Sequence, residues 1–228
     1  PGAEPGSDTA HLCLLGYDPR ACYTGRSPLE ALGLGVPMAD GDTVFRCNLV
    51  TLSPRGEYDD WEMADHSAGK ITTEEAAELL RAAAEELGGE RLEFHPGVSY
   101  RHLLLWKGGC PPMTLTPPHD ILGRAIGGHL PKGDGSKELR ELMRKSCEVL
   151  SAHPVNENRI RRGLRPANSI WLWGQGTKPA LEDFYKKFGV RASVISAVPL
   201  VKGIGRGAGM SVIDVEGATG ELDTNYEG

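Results

Sequence analysis

A serine and an aspartate stand at the start of a short apolar run in PGSDTAHLCLLGYDP, residues 5 to 19. The spacing predicts a short helix with Ser7 at its N-cap position. A hydroxyl there lies near backbone N–H groups that have no helical partner, at the positive end of the helix dipole. Such a group caps the helix or binds an anion, and the local sequence leaves both interpretations open.

A histidine stands beside an aspartate at two places, Asp65-His66 and His119-Asp120. Each pair could supply metal ligands or substrate contacts, or could make ordinary hydrogen bonds within a loop. The seven histidines show neither the H-x-x-x-H spacing nor a Cys/His ligand spacing. No complete metal site is therefore visible in the local sequence.

Cationic side chains concentrate in two segments of the chain. In SYRHLLL, Arg101 and His102 lie in an otherwise apolar strand, where a charged group is tolerated if it is paired or faces a site. In HPVNENRIRRGLRPAN, a run of guanidinium groups suits phosphate or carboxylate binding, and a solvated basic helix face explains it equally well. The run comprises Arg159, Arg161, Arg162 and Arg165.

The glycine-rich segment VKGIGRGAGM resembles a nucleotide loop only superficially, because it has no Walker pattern and no G-x-G-x-x-G after a strand. Lys202 and Arg206 are four residues apart, so on a helix they could meet the same anion. The segment WLWGQG could line a pocket, although burial of Trp171 or Trp173 in the core is the commoner outcome.

Helices and strands alternate along the chain, which indicates an α/β architecture. TVFRCNLVTL predicts a strand over residues 43 to 52, and ITTEEAAELLRAAAEELGG predicts a helix that Thr72 or Thr73 caps and Gly88 ends. Further helices are predicted in GRSPLEALGL with Ser27 as N-cap, in SKELRELMRKSCEVLSAH, in NENRIRRGL and in KPALEDFYKKFG. Further strands are predicted in GVSYRHLLLWKG, NSIWLWG, ASVISAV and MSVIDV, with a loop in GGCPPMTLTPPHDILG.

The composition is that of a water-soluble globular protein, with 39% hydrophobic and 25% charged residues among 228. A net charge of −6 argues against a general nucleic-acid binder, and no apolar run is long enough to span a membrane. The five scattered cysteines indicate reduced thiols in a cytoplasmic protein. Because the chain starts at Pro1 without an initiator Met or an export signal, we expect a fragment of a longer protein.

Taken together, these segments resemble the archaeal-type, cofactor-independent phosphoglycerate mutases of the alkaline phosphatase superfamily. The resemblance follows family order over nearly the whole chain. It rests on GSDTAHLCLLGYDPRACYTGRSPLEALGLG, FRCNLVTL, DHSAGKITTEEAAELL, PGVSYRHLLL, PPHDILG, HPVN, PANSIWLWGQG, VISAVPLVKGIGRGAGM and GATGELDTNYEG.

The resemblance implies an isomerase of glycolysis and gluconeogenesis that interconverts 3-phosphoglycerate and 2-phosphoglycerate through a phosphoserine. Ser7 corresponds to the phosphoryl-accepting nucleophile and to a ligand of two divalent ions, Mn or Mg, and Lys202 to a catalytic group. The substrate-binding groups it implies are His66, Arg101, His102, His119, Asp120, Asn156, Arg159 and Arg206.

The same resemblance implies a domain organisation. Residues 1–20 are a core fragment with the nucleophile, residues 21–190 an inserted α/β cap domain that holds the glycerate, and residues 191–228 a return to the phosphatase-like core. The family's other metal ligands have no counterpart in this sequence, so we expect the chain alone to bind no metal and to be inactive.

The implied partner is a small phosphorylated three-carbon acid, and the protein could form a homo-oligomer. Nucleic acid and membrane are not expected as partners. Two other functions stay open: a phosphatase or phosphotransferase acting on another small phosphate ester, and a non-catalytic ligand-binding module.

Overall fold

The computed structural model describes residues 6–220, 222 and 224–226. The helices are α1 (Ser7–Leu14), α2 (Pro19–Cys22), α3 (Arg26–Leu34), α4 (Thr73–Leu87), α5 (Ser136–Ser151), α6 (Pro154–Arg161), α7 (Phe184–Phe188) and α8 (Pro199–Gly207). The strands are β1 (Thr43–Ser53), β2 (Glu62–Asp65), β3 (Leu92–His95), β4 (Arg101–Trp106), β5 (Ser169–Thr177), β6 (Ser193–Ile195) and β7 (Ser211–Ile213). This mixture of helices and strands confirms the predicted α/β class.

The chain divides into two compact units. The central unit is Gly41–Gln175, and the flanking unit combines Pro1–Asp40 with Gly176–Gly228. The central unit is narrower than the cap predicted over 21–190, because α2, α3 and the segment from 176 to 190 belong to the flanking unit. Of the two predicted core segments, residues 1–5, 221, 223, 227 and 228 lie outside the described residues.

The central unit contains an antiparallel sheet in the order β2-β1-β4-β3, with β5 also paired to β1. The β-branched and apolar run of β1 suits a central strand, and β1 pairs with β2, β4 and β5. Helices α4 and α5 bury apolar stripes, among them Leu79 and Leu142, in one core with Phe45 and Leu104. Burying a leucine of this kind contributes about 2 kcal/mol.

The caps predicted for α4 are confirmed. The Thr72 hydroxyl accepts a hydrogen bond from the Glu75 N–H at 3.3 Å, and Gly88 is the C-cap. By contrast, the helix predicted over KPALEDFYKKFG forms only in α7. Its N-cap is Asp183, whose carboxylate accepts a hydrogen bond from the Lys186 N–H at 2.9 Å, so the helix begins there.

Helices α3 and α8 of the flanking unit approach each other closely at two glycines. A Cβ on Gly203 of α8 would lie 1.7 Å from the Leu29 carbonyl oxygen, and one on Gly33 of α3 would lie 1.9 Å from the Pro199 carbonyl oxygen. The glycine-rich segment is therefore a helix-packing surface. A short parallel pair, β6 and β7, adjoins α8.

Within the described residues, no helix combines the length and the apolar character needed to cross a membrane.

Candidate active site

Ser7 is the first residue of α1, and Gly6, not Ser7, is its N-cap. The predicted capping role of Ser7 is therefore wrong by one position, because the helical backbone already begins at the serine. Its side chain is exposed, and its hydroxyl oxygen accepts a hydrogen bond from the Arg26 guanidinium at 3.2 Å. The hydroxyl is thus free of backbone capping and lies beside a cation at the positive end of a helix.

Hydrogen bonds to Asp8 stabilise the start of α1, and an ion pair with Glu30 holds Arg26. The Tyr23 hydroxyl donates to the buried Asp8 carboxylate at 2.5 Å, and the Thr9 N–H donates to the same carboxylate at 2.9 Å. Arg26 is held by Glu30, one helical turn further on, at 2.8 Å. The residue after Ser7 and the Arg26 side chain are therefore both held by other residues.

Lys202 and Arg206 both lie on α8, as their spacing predicted, but each has its own partner. The Lys202 ammonium contacts the Asp214 carboxylate, and its hydrogen bond and charge lower the pKa of Asp214. The Arg206 guanidinium donates to the carbonyl oxygens of Leu32, at 3.1 Å, and Gly33. Arg206 therefore satisfies carbonyls at the C-terminal end of α3, and its charge adds to that of Lys202 in lowering the pKa of Asp214.

In the central unit, four rings form what we call the imidazole cluster: His66, Tyr100, His119 and Trp173. The His66 ring centroid lies 5.7 Å from that of Tyr100 and 6.1 Å from that of His119. The His119 centroid lies 5.4 Å from that of Trp173, again edge to face. The two histidines that the sequence singled out are therefore brought together, with His119 exposed and His66 half-buried.

Asn48 joins two members of the imidazole cluster. Its buried amide donates to the His66 carbonyl oxygen at 3.2 Å and accepts from the Trp173 indole N–H at 3.1 Å. Arg46, two residues earlier on the same face of β1, places its guanidinium carbon 4.9 Å from the centroid of a Trp173 ring. The Arg46 guanidinium and the Asn48 amide, both on β1, thus contact the imidazole cluster.

Arg101 and His102 cannot serve the same site, because successive residues of a strand point to opposite faces of the sheet. Arg101 pairs with Asn48, is exposed, and stacks its guanidinium carbon 5.2 Å from the Tyr100 ring centroid. His102 pairs with Cys47 and is only 1% exposed. Arg101 therefore joins the imidazole cluster, whereas His102 does not.

His102 instead binds a backbone group of the segment that precedes β4. Its Nδ1 accepts a hydrogen bond from the Gly97 N–H at 3.1 Å, and burial lowers its pKa to about 4. The ring is thus neutral at physiological pH. The ring is enclosed on the side of the sheet that carries Cys47, so this arrangement gives the predicted substrate contact no support.

Asp120 is exposed beside His119, with its carboxylate 3.7 Å from the His119 Nε2. An exposed pair at this distance contributes little stability. Both side chains are therefore available to a ligand.

Asn156 and Arg159 are one turn apart on α6 and are both buried. The Asn156 amide donates to the carbonyl oxygens of Leu150 and Ala167, at 2.8 and 2.9 Å, and accepts from the Ala167 N–H at 2.8 Å. Arg159 donates to two carbonyl oxygens and pairs with Glu75. Internal partners occupy the polar groups of both residues, so this arrangement gives the two predicted substrate contacts no support.

Asp65 shapes the segment that carries His66. Its carboxylate accepts from the Ser67 N–H and hydroxyl, both at 2.7 Å, and from the Gly69 N–H at 3.2 Å. Burial raises the pKa of Asp65, but these hydrogen bonds outweigh it and the pKa lies below its usual value. Asp65 is therefore an ionised loop anchor.

Among residues 6–220, 222 and 224–226, no group of three or more His, Cys, Asp or Glu side chains could hold a metal ion. The described side chains therefore do not fit a two-metal centre on their own. The metal ligation predicted for the Ser7 hydroxyl stays a prediction.

Three residues that contact the candidate site were not predicted from the sequence: Arg26, Arg46 and Asn48. A signal existed for the last two, since polar residues at alternate positions of an apolar strand mark a face that is not simply core. For Arg26 the sequence offers no comparable signal, because its contact with Ser7 bridges 19 positions.

Comparisons with known proteins identify the family of the chain. The family model of 2,3-bisphosphoglycerate-independent phosphoglycerate mutase matches residues 1–156. The chain belongs to this mutase family.

Members of the mutase family resemble the chain along its whole length. It is 54% identical over 228 residues to a probable 2,3-bisphosphoglycerate-independent phosphoglycerate mutase of Geobacter sulfurreducens, covering 100% of the chain and 56% of that protein. It is 50% identical over 228 residues to the corresponding mutase of Methanosarcina barkeri, again covering 100% and 56%. The chain therefore spans a little over half the length of these relatives.

Solved structures show the same relationship. A protein of Pyrococcus horikoshii aligns with a TM-score of 0.73 at 31% identity, over 99% of the chain and 51% of that protein. The cofactor-independent phosphoglycerate mutase of Thermoplasma acidophilum aligns with a TM-score of 0.63 at 30% identity, over 93% and 57%. The fold is thus that of part of a mutase of this family.

Proposed function

We propose that the protein to which this chain belongs interconverts 3-phosphoglycerate and 2-phosphoglycerate, with Ser7 as the phosphoryl-accepting nucleophile. The observation that carries the proposal is the exposed Ser7 hydroxyl at the first position of α1, 3.2 Å from the Arg26 guanidinium. A nucleophile in such a place is supported by the helix dipole and by a cation that pairs with phosphate oxygens.

In the first half of the reaction, the Ser7 hydroxyl loses its proton as its oxygen attacks phosphorus. The bond from phosphorus to the substrate oxygen breaks, and that oxygen takes up a proton. In the second half, the other hydroxyl of the glycerate attacks the phosphoserine, loses its proton and regenerates the Ser7 hydroxyl. Arg26 pairs with the phosphoryl oxygens throughout, since a guanidinium presents several donors to them. The net change is a phosphoryl group moved between two hydroxyls.

Lys202 provides a second positive charge in the flanking unit. Its partner Asp214 has a side chain that is 70% exposed, so a substrate phosphate can replace it at the ammonium without uncovering a buried carboxylate. We assign Lys202 to charge stabilisation and proton transfer at the reacting oxygen. The two divalent ions that the family resemblance implies would lower the pKa of the serine hydroxyl.

In the central unit, His66, His119 and Arg101 are the substrate-orienting groups of the proposal. His66 and His119 belong to the imidazole cluster and Arg101 stacks on its Tyr100, and all three carry N–H donors that suit the carboxylate and phosphate of a small phosphorylated acid. Asp120 is exposed beside them and suits a substrate hydroxyl. His102, Asn156, Arg159 and Arg206 are structural in this scheme.

The test is mutase activity of the full-length protein, purified with Mn²⁺ or Mg²⁺, beside Ser7→Ala. We expect Ser7→Ala to lower kcat by about 10⁴-fold or more, because the covalent route is lost. Ser136→Ala is the matched control, since Ser136 is likewise the first residue of a helix and has no proposed role. Undiminished activity in Ser7→Ala would refute the assignment of Ser7 as the nucleophile.

A panel of small phosphate esters in the same assay separates the mutase from a phosphatase or phosphotransferase. Hydrolysis of another ester without mutase activity would favour the second function, since the Ser7 geometry suits phosphoryl transfer in general. We expect the 228-residue chain alone to be inactive.

A cytoplasmic location is part of the proposal. It is supported by the free thiols of Cys13, Cys22, Cys47, Cys110 and Cys147. The homo-oligomer stays a prediction, which light scattering of the full-length protein tests.

A further inference from the structure

The segment that carries His66 has an unusual backbone. We call residues 65–70 the histidine loop. Within it, Ala68, Gly69 and Lys70 have φ angles of 48°, 67° and 53°, so three consecutive residues are left-handed. This conformation costs free energy for Ala68 and Lys70, whose Cβ atoms approach the backbone. Contacts from outside the loop must therefore hold it in place.

Arg159 supplies the best buried of these contacts. Its Nη2 donates to the Ala68 carbonyl oxygen at 2.7 Å, and its Nε donates to the Arg165 carbonyl oxygen at 2.9 Å. Its Nη1 pairs with Glu75 at the start of α4. The side chain is 3% exposed, and these contacts hold the guanidinium on three sides with one donor directed at the strained part of the loop.

Other contacts hold the rest of the histidine loop. Asn48 donates to the His66 carbonyl oxygen, and Ser67 and Gly69 donate to Asp65. Gly69 packs against the Arg159 guanidinium, since a Cβ there would lie 3.8 Å from Nη2. Arg159 thus ties the left-handed residues to α6 and α4, while Arg165 lies 3.6 Å from the Asp65 carboxylate at the start of the loop.

We propose that Arg159 is a positioning residue that orients His66 toward the substrate through the Ala68 carbonyl. The inference rests on the proposed function, in which His66 contacts the substrate. Ala68 follows His66 by two residues, so relaxation of its left-handed backbone would turn the His66 ring away from Tyr100 and His119. Glu75 in the first turn of α4 and Arg159 in the last turn of α6 thereby preorganise the His66 imidazole through the backbone of the loop.

A double-mutant cycle in the full-length enzyme tests the proposal. Arg159→Leu is combined with His66→Ala, and kcat/KM is measured for all four proteins. We expect Arg159→Leu to lower kcat/KM by about tenfold in the wild-type background and by less than about twofold when His66 is already alanine. Arg161→Leu is the matched control, because it removes the same charge from an exposed position of α6. Equal losses in both backgrounds would overturn the proposal.

Arg159→Lys keeps the protein testable if Arg159→Leu does not fold. Lysine retains the charge that Glu75 needs but cannot donate in three directions at once. We expect this variant to keep a cooperative unfolding transition and to show the same loss only in the presence of His66. Wild-type kinetics in a folded Arg159→Lys protein would contradict the proposal.

A readout independent of activity separates this inference from the proposed function. In NMR spectra of the full-length protein, with the His66 ring signal assigned through His66→Ala, Arg159→Lys should shift that signal away from its ring-current position. The His95 signal is the internal control, because His95 lies on β3, at the opposite edge of the sheet from β2. A shifted His66 signal in a protein without mutase activity would refute the proposed function alone. An unshifted signal would refute the positioning role.

Discussion

His102 shows how one buried imidazole couples folding to pH. Its ring is 1% exposed, its Nδ1 is bound to the Gly97 N–H, and burial lowers its pKa from 6.5 to about 4. Between these two values the unfolded chain binds a proton that the folded chain does not. The free energy of unfolding therefore falls as pH falls through this window, and the contribution of His102 is complete above pH 6.5.

We predict that His102→Asn flattens the pH dependence of stability. Asparagine can still accept from the Gly97 N–H but takes up no proton in this range, so up to about 3 kcal/mol of pH-dependent stability should disappear. Urea unfolding followed between about pH 4 and pH 7.5 measures it. His129→Asn is the control, and parallel pH profiles for wild type and His102→Asn would contradict the assignment.

The alternation of side chains along a strand limits which neighbouring residues a sequence can place at one site. Arg101 and His102 are adjacent, and the alternation of side chains along a strand already implies that only one of them faces a given site. Burial of Asn156 and Arg159 could not be predicted in this way. Their partners, Ala167 and Glu75, come from other elements, and a single sequence does not reveal such distant pairs.

At the scale of elements, glycine spacing sets the distance between α3 and α8. Gly33 and Gly203 each face a carbonyl oxygen of the opposite helix, and a methyl group at either position would overlap it. Lys202 immediately precedes Gly203 in the sequence and therefore lies next to this helix contact. The position of the proposed catalytic lysine thus depends on a residue without a side chain.

We predict that Gly203→Ala destabilises the flanking unit by about 3 kcal/mol, because its Cβ would lie 1.7 Å from the Leu29 carbonyl oxygen. Loss of far-UV circular dichroism on heating measures the effect. Gly89→Ala is the control, since a Cβ there meets nothing within 4 Å. Equal stability of the two variants would show that the helices separate without cost.

Elements were predicted best where periodicity and caps agree. The strand predicted over 43 to 52 is β1, and the helices predicted in ITTEEAAELLRAAAEELGG and SKELRELMRKSCEVLSAH are α4 and α5. The helix around α7 was predicted too long, because its early residues have good helical patterning but Asp183 supplies a stronger start. The pairing order of the sheet depends on contacts across the chain and could not be derived from local pattern.

At the scale of the whole molecule, each unit has its own hydrophobic core. One cluster draws only on residues between Phe45 and Trp173, and the other joins Leu12 and Leu29 to Leu200 and Ile204. The central unit is a single uninterrupted segment, whereas the flanking unit must bring together two segments separated by it. Closing that long separation costs conformational entropy that the central unit does not incur.

We predict that residues 41–175, produced alone, fold cooperatively. All four tryptophans of the sequence lie in this segment, so their fluorescence reports on it in the segment and in the whole chain alike. Leu79→Ala should lower the free energy of unfolding by about 3 kcal/mol in both proteins, because Leu79 is fully buried in the central core. A broad, non-cooperative transition of the segment, insensitive to Leu79→Ala, would show instead that its core forms only within the longer chain.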